Sequence, residues 1–187
     1  KGPISSISGR NTSVKQLTTL EMEKNELADS LEFEARKHIP MDGTEPVIDF
    51  HILGQNELEL DKNDVLLIAT TKNTILQHDK IKKSVGFKSG IFDSDPISLS
   101  NTYNHFNELP EEGVDIIINI GNFSTTLIAW GKKHRFFTRE LEIAGYHFTK
   151  AIMQKRKVDY NAAELIKREE GVDSLTDNNE NTAEVDP

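Results

Sequence analysis

Three short apolar strands separated by two tight turns constrain this sequence more than any other feature. Gly121-Asn122 and Gly131-Lys132 are turn dipeptides of the kind that join neighbouring strands. We therefore expect a β-sheet in the second half of the chain. Its strands read as residues 114–120, 123–130 and 134–143.

Two helices are predicted to follow this sheet. The first runs from about Gly145 to Lys155. The second begins after Asp159, which is a good N-cap residue, and continues to Glu170. Trp130 ends the second strand, and we expect its large apolar ring to belong to the core.

A helix pattern stands out early in the first half of the chain. Leu27, Leu31, Ala35 and Ile39 recur every four residues, which predicts a helix with one buried face that Pro40 ends. The preceding residues are rich in β-branched side chains, so we expect extended structure there, with a bend near Gly9.

Strands and helices are predicted to alternate from residue 47 onward. Val47, Asp49 and His51 share one face of an alternating strand at residues 47–55, and residues 64–71 read as a strand buried on both faces. A helix is predicted at 74–86, capped by Asn73 or Thr74, and its inner stripe consists of Ile75, Leu76, Ile81 and Val85. A strand at 87–95 follows, and then a helix from Asp95-Pro96 to about Phe106.

Composition excludes several classes of protein. The formal net charge of −9 argues against a nucleic-acid-binding protein, which usually presents a basic face. Five of the acidic residues lie in residues 171–187, which contain no Lys or Arg, and we expect a disordered acidic tail at 172–187. The lack of cysteine excludes disulfides and thiolate metal sites. With no signal peptide in residues 1–20 and no membrane span, we expect a soluble intracellular protein.

The turn between the first two strands of the sheet has the outline of a phosphate-binding loop. In such a loop a carboxylate holds a metal-bound water, glycine lets backbone N–H groups approach the anion, and hydroxyl side chains follow. An ordinary strand hairpin explains the same residues and is the alternative at this point. The matching residues are Asn119, Gly121, Ser124, Thr125 and Thr126.

Two later segments favour a nucleotide site. Gly145 stands at the start of a helix directly after the third strand. Glu164 and Lys167 are three residues apart on one helical face, where both could reach a ribose. A solvated surface ion pair is the alternative explanation of that pair.

In this order, these segments resemble the second phosphate motif, the glycine-led helix and the AE-x-x-K ribose motif of actin-like ATPases. A more specific resemblance is to the PilM family of type IV pilus assembly proteins, and the segment that carries it is "ELADSLEFEARKHIPMDGTEPVIDFHILG". The following segment, "LLIATTKNTILQHDKIKKSVGFKSGIFDSDPISL", is similar to the family's next strand, helix, turn and strand. The resemblance runs from about Ile4 to Gly171, and the cell-division protein FtsA shares the layout more distantly.

This resemblance implies an α/β fold: a fragment of an actin-like, ribonuclease H-like fold with an inserted strand-helix-strand-strand (SHS2-like) subdomain. The insert would occupy residues 1–92, and residues 93–171 would form parts of the two core lobes. Residues 172–187 would form the tail. The family's first phosphate motif and its adenosine-binding glycine segment have no counterpart here. We therefore expect a fragment of a longer protein.

By resemblance, a degenerate nucleotide site is predicted. Asn119 stands where the family usually has Asp, and an amide cannot supply the anionic ligand for Mg²⁺-bound water. Phe123 stands where the family usually has Gly, so a positive φ there would be strained. We expect no enzyme activity, no catalytic residues and no metal site. ATP with Mg²⁺ would be a ligand only of the full-length protein, and no cofactor is expected for this fragment. The predicted nucleotide-binding residues are Asn119, Gly121, Asn122, Ser124, Thr125, Gly145, Glu164 and Lys167.

The resemblance also implies a function. We expect a cytoplasmic scaffold of type IV pilus assembly, peripheral at the bacterial inner membrane, that binds the N-terminal cytoplasmic peptide of a PilN-like bitopic partner and contacts other pilus machine components. It would bind no nucleic acid and would not insert directly into the membrane. The groove residues cannot be named from the sequence. The alternatives are an ATP-binding actin-like switch and an FtsA-like filament-forming protein.

Overall fold

The computed structural model describes residues 2–40, 43–88 and 90–171. The predicted tail at 172–187 lies outside them. The strands are β1 (Ile4–Ile7), β2 (Thr12–Leu20), β3 (Pro46–Gln55), β4 (Lys62–Thr71), β5 (Ile91–Ser94), β6 (Asp115–Ile120), β7 (Thr125–Gly131) and β8 (His134–Leu141). The helices are α1 (Lys24–Ala35), α2 (Lys72–Ser84), α3 (Asp95–Phe106), α4 (Gly145–Arg156) and α5 (Tyr160–Glu170).

The chain divides into two units. The first consists of Lys1–Asn119 together with Thr126–Glu140, and the second consists of Ile120–Thr125 together with Leu141–Pro187. The first unit thus contains the early strands and helices and most of β7 and β8, whereas the second contains the loop before β7 and the last two helices. The three-part division expected from the sequence stays a prediction.

The best-packed core of the first unit lies between α1 and an antiparallel sheet with the strand order β2-β4-β3. Leu27 and Leu31 of α1 pack against Val65 and Leu67 of β4, which confirms the helical pattern of the sequence. The helix ends at Ala35, before the predicted end at Pro40, because the next amides bond three residues back in tight turns. In this sheet β3 is an edge strand, and within the described residues only β4 pairs with it.

Helix α2 differs from its prediction in two ways. Its N-cap is Thr71, whose side chain accepts a hydrogen bond from the Thr74 amide at 3.2 Å, so neither predicted cap is correct. Three of the four residues of the expected inner stripe are also wrong, since Leu76, Ile81 and Val85 are 56%, 64% and 68% exposed. The fourth, Ile75, is half-buried. The inward face instead carries Thr74 and Lys82, and the Lys82 ammonium lies 3.8 Å from the centre of the Phe92 ring. A buried aliphatic stem and a cation–π contact make lysine a suitable residue for that position.

Strands β1 and β5 form a two-stranded parallel sheet, in which Ile4 pairs with Ile91. Helix α3 follows β5 directly, and Pro96 lies in its first turn as the sequence predicted. This arrangement places the start of α3 at the carboxyl end of β5.

The three strands predicted in the second half form one sheet with the order β6-β7-β8. Its second turn requires glycine at position 131, because a Cβ atom there would come within 2.2 Å of the Gly113 carbonyl oxygen. Trp130 is 5% exposed, which confirms its predicted core position. In α5 the predicted cap is also confirmed, since the Asp159 carboxylate accepts the Ala162 amide at 2.9 Å.

Candidate functional site

The predicted phosphate loop lies in the second unit, where it contacts the first turn of α4. The Gly121 amide donates to the Ser124 carbonyl at 2.9 Å, which closes the turn. The Gly145 amide donates to the Gly121 carbonyl at 3.0 Å, and the Tyr146 amide donates to the Asn122 carbonyl at 2.8 Å. Amides at a helix N-terminus are the groups that would bind phosphate. Here the loop carbonyls already occupy both.

Two further contacts fix this junction. The Thr125 hydroxyl donates to the Ile143 carbonyl at 2.6 Å, which uses its single proton within the protein. A Cβ atom on Gly145 would lie 3.2 Å from the Gly121 carbonyl oxygen, so glycine permits the close approach of helix and loop. The glycine that the sequence singled out therefore has a packing reason.

Phe123 is exposed at the tip of the loop, and its ring centre lies 5.5 Å from that of Tyr146. The expected backbone strain is absent, because Lys157 is the only non-glycine residue with positive φ among those the structure describes. Phe123 thus occupies the space beside the first turn of α4 with an ordinary backbone conformation.

Glu164 and Lys167 of α5 form an internal network with α4. The Lys167 ammonium donates to Glu164 Oε1 at 2.5 Å, to Thr149 Oγ1 at 2.7 Å and to the Gly145 carbonyl at 3.3 Å. Thr149, which the sequence analysis missed, is fully buried and also donates to Glu164. The hydrogen bond from Lys167, followed by that from Thr149, lowers the pKa of Glu164. Both side chains are about three-quarters buried or more, which argues against a solvated surface pair.

These residues do not fit a complex of ATP with Mg²⁺. Asn119, which belongs to the first unit, offers an amide where a carboxylate is needed. The α4 amides are engaged by protein carbonyls. The structure thus joins Gly121, Asn122, Ser124 and Gly145 into a closed junction.

A second candidate site is a groove of about 470 Å³ within the first unit. One part of its lining comes from β3 and β4, and the rest comes from β1, α2, β5, α3, β7 and β8. The residues from the two β3–β4 strands include Val47, Asp49, His51, Leu66, Ile68 and Thr70, and the others include Phe92, Ser94, Ile97, Asn101, Asn104, Trp130 and Phe136.

Aromatic side chains give this groove its fixed shape. The Trp130 ring packs edge-to-face on Tyr103 with ring centres 5.5 Å apart and lies 6.1 Å from the Phe136 ring. The Trp130 indole N–H is 3.3 Å from Asn104 Oδ1, so its polar atom is satisfied. A rigid apolar surface of this kind accepts apolar side chains with little loss of entropy.

The polar groups of the groove are carboxylates, side-chain amides, hydroxyls and one imidazole, and no Lys or Arg belongs to its lining. Asp93 is held in place, because it accepts the Ser94 amide at 2.8 Å and the Ser98 hydroxyl at 2.8 Å. The Ser94 side chain is 1% exposed, and its hydroxyl has no hydrogen-bond partner among the described residues. The groove can therefore bind apolar side chains and still offer one hydroxyl to an incoming polar group.

Only some of the residues that line this groove could be predicted from the sequence to lie together. The alternation of β3 predicted that Val47, Asp49 and His51 share a face, and all three line the groove. The remaining lining residues come from segments far apart in the chain, and no local pattern relates them.

Comparison with known proteins gives two results. The sequence model of a family described as type IV pilus assembly protein PilM matches residues 5–181. The structure of a PilM-PilN type IV pilus biogenesis complex is similar at 23% identity with a TM-score of 0.75, covering 92% of this chain and 52% of the matched chain. This chain thus spans about half the length of that relative.

Two crystal structures of MreB5 from Spiroplasma citri match more weakly. The one bound to ADP shares 21% identity with a TM-score of 0.43, covering 53% of this chain and 31% of its own. The one bound to AMPPNP shares 21% identity with a TM-score of 0.42, covering 52% of this chain and 31% of its own. Among the helices that the structure describes, none has the length and apolar character to cross a bilayer.

Proposed function

This chain belongs to the family of the type IV pilus assembly protein PilM, and from that premise we propose that it is a cytoplasmic scaffold at the bacterial inner membrane. Its ligand is the N-terminal cytoplasmic peptide of a PilN-like membrane protein, and the binding site is the groove of the first unit. The observation that carries the proposal is this apolar groove of about 470 Å³ beside an edge strand.

The groove suits an extended peptide for two reasons. Its aromatic and aliphatic walls accept apolar side chains, and the adjacent strand β3, which pairs on one side only within the described residues, offers its other edge to a peptide strand. Short peptides bind well to preformed grooves, since a few anchors and backbone hydrogen bonds offset the entropy of ordering them.

Charge also supports a peptide that precedes a membrane helix. Cytoplasmic segments next to such helices are rich in Lys and Arg. The groove has Asp49 and Asp93 in its lining and no Lys or Arg, so a basic peptide meets no repulsion there. The partner, rather than this chain, would then supply the membrane attachment.

Binding can be measured through Trp130, which is the single tryptophan of the chain and lines the groove. We expect a PilN-like N-terminal peptide without tryptophan to change the Trp130 emission in a saturable way. Val47→Arg should weaken binding by about tenfold or more, because it places a charged side chain in the apolar lining.

A matched control is Val114→Arg. Val114 is 43% exposed and lies outside the groove lining, whereas Val47 is 40% exposed and lies within it. The control should bind the peptide as tightly as the unmodified chain. Equal loss in both variants, or no saturable change with several candidate peptides, would refute the groove as the binding site.

We also propose that this chain is not an enzyme. The closed junction of the phosphate loop with α4, and Asn119 in place of a carboxylate, support this part of the proposal. A scaffold of this kind works by binding other components of the pilus machine.

A further inference from the structure

A smaller pocket of about 190 Å³ in the first unit has features that the peptide groove does not use. It lies among the start of β2, the turn after α1 and strands β7 and β8. Most of its lining is polar, and titratable side chains contribute a large share of it. The titratable side chains in the lining are those of Arg10, Lys15, His38, Arg139 and Glu140.

Two buried polar atoms of this pocket have no hydrogen-bond partner within the described residues, namely Glu140 Oε1 and His38 Nε2. The other oxygen of Glu140 accepts the Thr126 hydroxyl at 3.0 Å, so the carboxylate is held in one orientation. His38 Nε2 lies 3.4 Å from Glu34 Oε1, which is an ion pair only when the ring is protonated. An unsatisfied buried acceptor is unfavourable, so Glu140 Oε1 requires a donor from a ligand or from water.

The charge around these atoms is positive. Arg10, Lys15 and Arg139 line the same pocket, and none of the three forms an ion pair with a described residue. The lining thus contains three cations and one carboxylate, that of Glu140, in a chain whose formal net charge is −9. A second carboxylate, Glu34, lies outside the lining and contacts only His38 among the pocket's side chains. Such a lining favours an anion, because arginine and lysine donate strong charge-assisted hydrogen bonds to anionic oxygens.

A ligand that satisfies both requirements is an anion that carries its own hydrogen-bond donor. We propose that this pocket binds a hydrogen phosphate group, as the free anion or at the end of a small ester. The P–OH group donates to Glu140 Oε1, and the anionic oxygens accept from Arg10, Lys15, Arg139 and His38. Sulfate has similar size and charge but no proton near neutral pH, so it would turn a lone pair toward the buried carboxylate.

The test compares phosphate with sulfate by calorimetric titration of the 187-residue chain near neutral pH at constant ionic strength. We expect phosphate to bind about tenfold or more tightly than sulfate, because a site built for a donor rejects the analogue that lacks it. Glycerol phosphate in a parallel titration distinguishes a phosphate ester from free phosphate as the ligand. If it binds more tightly than phosphate, the ligand is an ester, and if it binds more weakly, the ligand is the free anion.

Two variants test the roles of individual residues. Glu140→Gln retains an acceptor for Thr126 and adds N–H donors, so it should reverse the preference in favour of sulfate. Arg10→Gln, at an exposed position, should weaken the binding of both anions, whereas Lys133→Gln, outside this pocket, controls for the change in net charge. Equal binding of phosphate and sulfate, no binding of either, or an unchanged preference in Glu140→Gln would overturn the proposal and leave a pocket filled by water.

Discussion

The Lys167 ammonium has three hydrogen-bond acceptors around it in the second unit. An ammonium has three N–H donors, and the side chain of Glu164, the hydroxyl of Thr149 and the carbonyl of Gly145 accept from it. These contacts join α5 to the first turn of α4. The residues that resemble a ribose motif therefore hold two helices together in this structure.

This network predicts a stability that depends on pH. Hydrogen bonds from Lys167 and then Thr149 lower the pKa of Glu164, so the ionised form stabilises the folded state. That contribution is present above the ordinary carboxyl pKa of about 4.3 and is lost as the pH falls through the lowered value. We expect Glu164→Gln to destabilise the chain at pH 7 and to reduce its loss of stability on acidification, as measured by urea unfolding at pH 7, 4 and 3.

The same change at the neighbouring Glu169 provides a control. This side chain is exposed and makes no ion pair with a described residue. Glu169→Gln should leave the pH dependence of the unfolding free energy unchanged. If Glu164→Gln also leaves it unchanged, the network contributes nothing to stability.

Sequence spacing could predict one of these contacts and not the others. Glu164 and Lys167 are neighbours because residues three apart share a helix face. Thr149 lies on another helix, and the packing of two helices has no period that a sequence pattern shows. For the same reason the sequence identified Gly145 but not its contact with Gly121.

Among the elements, α2 departs most from its expected form. The apolar spacing predicted that Leu76, Ile81 and Val85 face inward, but the helix turns Lys82 inward instead. A lysine stem is apolar over most of its length, so a pattern that treats lysine only as charged assigns the wrong face. The helices α3 and α5 begin as predicted, because proline and aspartate at a helix start are specific local signals.

The N-cap of α2 provides a direct test at this scale. Thr71→Val removes the hydroxyl that accepts the Thr74 amide while keeping the shape of the side chain. We expect it to lower the free energy of unfolding by about 1 kcal/mol, the usual contribution of a cap. Thermal or urea unfolding measures the effect.

Two substitutions separate the cap from general disturbance. Thr71→Ser keeps the hydroxyl and should stay close to the unmodified chain. Asn73→Ala, at a position that the sequence favoured as the cap, should have an effect of only a few tenths of a kcal/mol, since Asn73 is exposed. A larger loss of unfolding free energy in Asn73→Ala than in Thr71→Val would show that Thr71 is not the N-cap of α2.

On the scale of the whole molecule, the chain has the mixed α/β architecture that the sequence predicted. The order of strands and helices could be predicted because each element has its own local pattern. The groove could not, since its lining joins residues from β1 to β8 and depends on how these elements pack. The proposed function thus depends on the packing of elements that are far apart in the sequence, which local patterns do not predict.

The scaffold proposal also predicts how the whole chain responds to nucleotide. With the α4 amides engaged and an amide at position 119, ATP with Mg²⁺ should not bind measurably to this chain. A fluorescent ATP analogue would show this by anisotropy, and sedimentation with and without nucleotide should show the same species. Tight binding that requires Mg²⁺ would favour the switch, and sedimenting polymers would favour the filament.

The open edge of β3 has a consequence for the cell. A strand that pairs on one side only is a template on which a second copy can extend the sheet. Within the described residues β3 pairs only with β4 and presents the exposed Ile52 and Leu53, while Pro46, Asp49 and the irregularity between Ile52 and Gly54 discourage such extension. A chain made in excess of the proposed membrane partner would be prone to such self-templating, and a tail seated along the strand would suppress it. The relative dosage of the two proteins would then govern solubility as well as assembly.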